Sequence, residues 1–332
     1  MVKRDYLGLL SLALLVAAVP LVMDNEYYLG ILAFTALNCL AAIGLSLLMG
    51  YAGQISIGHA AFIGVGAYVS ALFTVKLGWA VWPAMGAGVF VSILLAYGLG
   101  VPALRLKGHY LAMATLGFGA IVHVVLVAAT GITGGPEGIS EIPSLSLFGW
   151  TIDTDMRFYF VSWGAVVLGL LLSLNLIHSR VGRALRSIHG SEDAAGSIGV
   201  DTSRYKIRVF ALSAAFASVS GSLYAHYVSY IDPGPFDVMH SVLLVTMVAV
   251  GGMSRIWGAV LGAVLLSILP EGLAAFADAF AFIGIAYEPD YDVLVYGAIL
   301  LAIMLFLPGG LFAAAADLVD RLLNRAAGKG DA

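Results

Sequence analysis

Residues 105–129 read RLKGHYLAMATLGFGAIVHVVLVAA. Two cations, Arg105 and Lys107, stand before a run from 110 to 129 that contains no Asp, Glu, Lys or Arg. Twenty residues of α-helix rise about 30 Å, the thickness of a bilayer's hydrocarbon core. The next charges are acidic: Glu137, Glu141, Asp153 and Asp155. The stretch therefore reads as one crossing from a basic side to an acidic side.

The pattern repeats outward in both directions. Lys3 and Arg4 precede the first apolar run, and Asp24 and Glu26 follow it. His178, Arg180, Arg183, Arg186, Arg204, Lys206 and Arg208 lie between the sixth and seventh runs, and Asp232 and Asp237 after the seventh. Arg255 follows the eighth, Glu288, Asp290 and Asp292 the ninth, and Arg321, Arg325 and Lys329 the last. All sixteen Lys and Arg residues except Lys76 and Arg157 fall on one side. Basic residues stay cytoplasmic, so both termini are expected inside. The spans are expected near 7–23, 28–49, 55–74, 79–99, 110–129, 158–177, 207–228, 238–253, 257–276 and 293–308. Continuous rather than alternating apolarity favours helices over a barrel. The expected fold is all-α: a polytopic integral membrane protein of about ten transmembrane helices, one transmembrane domain over 1–332.

Composition agrees. The chain is 61% hydrophobic and 11% charged, where a soluble domain is about 25% charged. No polar stretch is long enough for a separate soluble domain. The first run, with Pro20 and then acids rather than a small-residue cleavage site, reads as a retained helix. The lone Cys39 lies in an apolar run and supports neither an intrachain disulfide nor a metal site. The net charge of −4 gives no reason to expect nucleic acid. No metal cluster, nucleophile triad or carboxylate pair appears at usable spacing, so an enzyme is not expected.

Two segments stand out. The first is Gly50-Tyr51-Ala52-Gly53-Gln54-Ile55-Ser56-Ile57-Gly58-His59, opening the third run. Gly50 and Gly53 let a chain bend. Gln54, Ser56 and His59 are costly to expose to lipid, so they should face protein or a watery pathway. Thr115 and His123 in the fifth run join them as candidate pathway residues. A pure packing role for the glycines, with His59 bonded to a neighbour, is the alternative. Gly251-Gly252-Met253 with Gly258 is a weaker echo about 200 residues on and hints at duplication.

The second is the basic connector 178–206. Ser191 suits an N-cap, Glu192 and Asp193 a first helical turn, and Gly199 a C-terminal stop. Ala194, Ala195 and Ile198 form a small apolar face. This describes a two-turn helix suited to a groove on a partner. The alternative is a surface helix held by anionic lipid through Arg180, Arg183 and Arg186.

At these residues the chain resembles the membrane permease subunit of branched-chain amino acid ABC importers, the LivH/LivM type. The resemblance rests on Gly50 to Phe62, on Leu104 to Leu116, on Thr133-Gly134-Gly135-Pro136-Glu137-Gly138-Ile139, on Gly182 to Gly199, and on Gly251-Gly252-Met253. The Lys107-Gly108-His109 stretch and the Gly-Gly-Pro-Glu-Gly turn look like the LivM-type partner. The resemblance implies a heteromeric importer in a bacterial or archaeal inner membrane. Its members would be a second homologous permease, two ATP-binding subunits and a periplasmic or lipid-anchored solute-binding protein. Arg183, Ser191, Glu192, Ala194, Ala195 and Gly199 map onto the loop that couples to the ATPase. ATP and Mg would be bound by the partner subunits; this chain holds no cofactor and no Gly-x-x-x-x-Gly-Lys-Ser/Thr loop. The expected function is inward translocation of Leu, Ile and Val. Glu137 and Glu141 are candidate contacts for the binding protein. Urea or a short amide is the nearest rival cargo. An ATP-independent secondary transporter or channel is the rival class, and it would need mid-depth charges for ion coupling. Glu271, after Pro270, is expected near the outer interface rather than at mid-depth.

Overall fold

In the computed structural model the described residues are 2–22, 25–103, 109–147, 150–253, 255–281, 297–298, 300–303, 305–307 and 309–314. Nine of the ten expected spans are helices. They are α1 (Val2–Val22), α2 (Glu26–Ser46), α3 (His59–Val75), α4 (Val81–Ala103), α5 (His109–Ala128), α7 (Asp155–His178), α10 (Thr202–Val228), α11 (Val238–Gly251) and α12 (Ile256–Ala281). Between them lie a single turn α6 (Thr130–Thr133) and two connector helices, α8 (Arg180–Gly190) and α9 (Glu192–Ser197). The tenth span, 293–308, falls only partly within the described residues. Arg105, Lys107, Glu288, Asp290, Asp292, Arg321, Arg325 and Lys329 lie outside them. A two-residue hairpin, β1 (Ser146–Leu147) with β2 (Trp150–Thr151), is the departure from an all-helical chain.

Side-chain caps set several starts. Thr154 Oγ1 accepts from Arg157 N, Asp201 Oδ1 from Arg204 N and Asp237 Oδ1 from His240 N. Among the described residues six helices are long and apolar enough to cross a bilayer: α2 with its continuation to Tyr51, α4, α5, α7, α10 and α12. α1, α3 and α11 carry shorter apolar stretches.

α2, α3, α4 and α10 form the centre. The apolar window of α2 is 78% buried, that of α5 only 28%, so α2 is enclosed by protein and α5 is peripheral. α3 and α10 touch backbone to backbone. A Cβ at Gly66 would run into the Ser218 backbone, and one at Gly221 into Ile63. Small residues permit such approach where burial against water offers no drive. Polar side chains lace the same seam. Ser222 Oγ donates to Gly66 O at 3.0 Å, and Ser70 Oγ meets His226 Nε2 at 2.7 Å. His226 Nδ1 lies 2.7 Å from Pro143 O. A carbonyl only accepts, so Nδ1 carries the proton and Nε2 accepts from Ser70.

The two ends of the bundle differ as the charges require. At the basic end His178 Nε2 meets Asp5 Oδ2 at 3.1 Å, tying α7 to α1. At the acidic end the Tyr27 phenol donates to Glu271 Oε2 at 3.0 Å and the Tyr227 phenol to Asp155 Oδ1 at 2.7 Å. Glu271 thus lies beside the start of α2, although α12 runs on ten residues beyond it. The two exceptional cations are locally engaged there. Lys76 Nζ donates to Gly131 O and Ile132 O, and Arg157 pairs with Asp153 at 2.9 Å.

Candidate functional site

The third expected span, 55–74, is not helical at its start. α2 widens into a π turn over Leu47–Tyr51, and residues 53–58 run as irregular chain before α3 begins at His59. The backbone explains the break. Gly53 has φ +66°, a left-handed conformation that favours glycine, and a Cβ at Gly58 would collide with Thr115 O. Irregular chain at membrane depth must be enclosed by protein or line a cavity. Here two neighbouring helices supply the missing acceptors. Thr115 Oγ1 on α5 accepts from Ile57 N at 3.0 Å, and Ser241 Oγ on α11 accepts from Ala60 N at 2.9 Å.

Gln54, Ser56, His59 and Thr115 are brought together at this break. Thr115 is fully engaged, since its hydroxyl also donates to Ala112 O at 3.0 Å. His59 is buried and pairs through Nε2 with Ser213 Oγ at 2.8 Å. Its Nδ1, both polar atoms of the Gln54 amide and Ser56 Oγ are buried without a partner. His123 is apart from them: eight residues beyond Thr115 on α5, it stands about 12 Å farther along the helix axis. Ser241 was not legible in the sequence as part of this group. A lone serine 181 residues away from Ala60 carries no pairing signal.

The basic connector is two helices, not one. α8 buries Gly182, Leu185 and Ile188 against the bundle and exposes Arg180, Arg183 and Arg186. At 3.6 residues per turn the two rows lie about 160° apart, so the arginines point away from the bundle. α9 follows with the expected cap: Ser191 Oγ accepts from Ala194 N at 3.3 Å. Gly199, at φ +86°, follows its end in a left-handed conformation. One expectation changes. Ala195 is 1% exposed and packs inward, so the outward face is Ala194 and Ile198, the latter 77% exposed. A helix of six residues is too short for periodicity to define its inner face. Glu192 stands in the first turn as expected, and its Oε1 lies 2.8 Å from Lys206 Nζ on α10. The Lys206 side chain is only 5% exposed, so this pair fastens α9 to the foot of α10.

Glu137 and Glu141 are both exposed on the acidic-end connector. That connector is held down. Ile139 and Ile231 exchange backbone hydrogen bonds of 2.8 and 3.0 Å, and the Tyr230 phenol donates to Glu137 O at 3.1 Å.

The chain matches the family described as branched-chain amino acid transport system, permease component, over residues 27–304. It belongs to that family. The permease is 32% identical to the high-affinity branched-chain amino acid transport permease LivM of Salmonella typhimurium, over 93% of this chain and 75% of the relative. It is 31% identical to LivM of Escherichia coli over the same shares. LivH of Escherichia coli is 27% identical over 82% of this chain and 90% of its own. No solved structure matches. The matched region takes in the break, the connector helices and the acidic-end turn described above.

Proposed function

We propose that this permease carries branched-chain amino acids across a bacterial or archaeal inner membrane as the LivM-type half of an ABC importer. A second, LivH-type permease would complete the pathway. Two separate subunits would bind ATP and Mg and hydrolyse the ATP, and a periplasmic or lipid-anchored binding protein would deliver the cargo. Both termini and the α8–α9 connector lie on the cytoplasmic side, with Glu137 and Glu141 outside, where they offer an acidic contact for the binding protein.

The observation that carries this reading is the build of the connector. α9 is a short, Ser191-capped knob, clamped by Glu192 to Lys206 at the foot of a long membrane helix. Ala194 and Ile198 face outward on it. A free surface loop has no need of such a clamp, whereas a knob that receives a push must be fixed to what it moves. Because the arginines of α8 face away from the bundle, they favour a protein partner over lipid headgroups. The named LivM relatives supply the cargo class.

The test is uptake of labelled leucine into proteoliposomes containing the permease, its partner permease, the two ATPases and the binding protein. Uptake that needs ATP and the binding protein supports the reading. Uptake of urea in place of leucine would change the cargo. Uptake by the permease alone, driven by an ion gradient, would overturn the class.

A further inference from the structure

Ten buried side-chain polar atoms lack a hydrogen-bond partner among the described residues, and five of them sit on residues 46–59: Ser46 Oγ, Gln54 Oε1 and Nε2, Ser56 Oγ and His59 Nδ1. Such groups are costly, and each needs a physical account. A packing role does not supply one, because a methyl or methylene in the same place would be cheaper. The cost makes sense if these groups find their partners, in cargo or solvent, when the segment moves.

The surroundings point the same way. Gly53 rests against the imidazole of His189 on α8; a Cβ there would stand 3.1 Å from Nδ1. Gly50 lies against the Met253 backbone in the α11–α12 turn. The irregular chain 53–58 is therefore flanked by α8 at Gly53 and by the peripheral helix α5 at Gly58, and the π turn leading into it abuts the α11–α12 turn at Gly50. α8 runs directly into α9, so a displacement of the knob bears on Gly53 through His189. The segment has no helical hydrogen-bond ladder to resist a shift: Gln54 N donates back to Leu48 O at 3.1 Å, Ile57 N to Thr115 Oγ1, and just beyond it Ala60 N at the start of α3 to Ser241 Oγ.

We infer that residues 53–58 are the cytoplasmic closure of the pathway and that His189 is the positioning residue that links this closure to α8. When the segment moves, Gln54, Ser56 and His59 become the wet lining past which the ammonium and carboxylate of the cargo leave. The inference rests on the importer reading above.

The test places one thiol in the segment. Ser56→Cys is made in a Cys39→Ala background, which removes the buried native thiol. The full importer complex is reconstituted in nanodiscs and treated with a small cationic methanethiosulfonate, and the same purified complex is placed in proteoliposomes to measure leucine uptake. Modification should be slow without nucleotide and faster by about tenfold or more when ATP is trapped with vanadate. His189→Ala should erase that difference while the complex still assembles and hydrolyses ATP. Equal rates in all states, in a preparation that transports leucine, overturn the closure. A wild-type nucleotide response that survives unchanged in His189→Ala overturns the role of His189, and His189→Gln then serves as a second check on the same readout. If the unmodified complex shows no ATP-driven uptake at all, the importer reading itself fails, and this inference with it.

Discussion

Glu192→Ala is the most informative single change. It leaves the Lys206 ammonium, 5% exposed, without its carboxylate. Stripping one partner from a fully buried pair costs about 3–5 kcal/mol. Here the Glu192 side chain is 30% exposed, so water can replace part of the interaction, and about 1–2 kcal/mol is the appropriate scale. The contact joins α9 to α10 and nothing else, so the loss should appear as local release rather than global unfolding. Each 1.4 kcal/mol is about a tenfold rise in the detached population. In reconstituted complexes, leucine uptake and cargo-stimulated ATPase activity should fall together, while the permease remains inserted and assembled. Amide exchange over 191–199 should quicken by about the same factor. Lys206→Met, which removes the buried charge, should restore stability to the Glu192→Ala chain without restoring coupling. A Glu192→Ala complex with normal uptake, normal stimulated ATPase and unchanged exchange at 191–199 would refute the reasoning.

Three further outcomes follow from the packing. Gly66→Ala should lose about 1–3 kcal/mol through overpacking, read as a lower melting temperature of the detergent-solubilised permease, because the Ser218 backbone cannot step aside. His226→Ala should free the Pro143 carbonyl and the Ser70 hydroxyl, cost about 1–3 kcal/mol, and raise protease sensitivity at 139–145. The double change Glu137→Lys and Glu141→Lys should slow capture of the binding protein at low salt by about tenfold, and less as salt rises, with ATPase activity of the permease complex unchanged.

The sequence revealed crossings well and contacts poorly. Apolar length located nine helices because a bilayer imposes length directly. The caps at Ser191 and Gly199 were legible because capping is local chemistry. The late start of α3 was hidden, since Ile55 and Ile57 read as part of an apolar run, and neither the left-handed turn at Gly53 nor the close approach of Gly58 to Thr115 is visible in it. α8 was read as part of a basic loop, although its Gly182, Leu185 and Ile188 spacing does mark a helical face. The donation to Ser241 spans 181 residues, and the Glu192–Lys206 clamp, though only 14 residues apart, joins two different helices, so neither spacing carries a pairing signal.

α10 links the two ends of the bundle. It is one unbroken helix of 27 residues, a strut about 40 Å long. Near its foot Lys206 grips the knob, and near its head His226 grips the acidic-end connector at Pro143. Along the shaft, glycine contacts with α3 leave no slack to absorb a tug. A load applied at either tip must therefore emerge at the other, and whatever perches on the acidic-end connector shares a taut line with whatever seizes the knob at the opposite end.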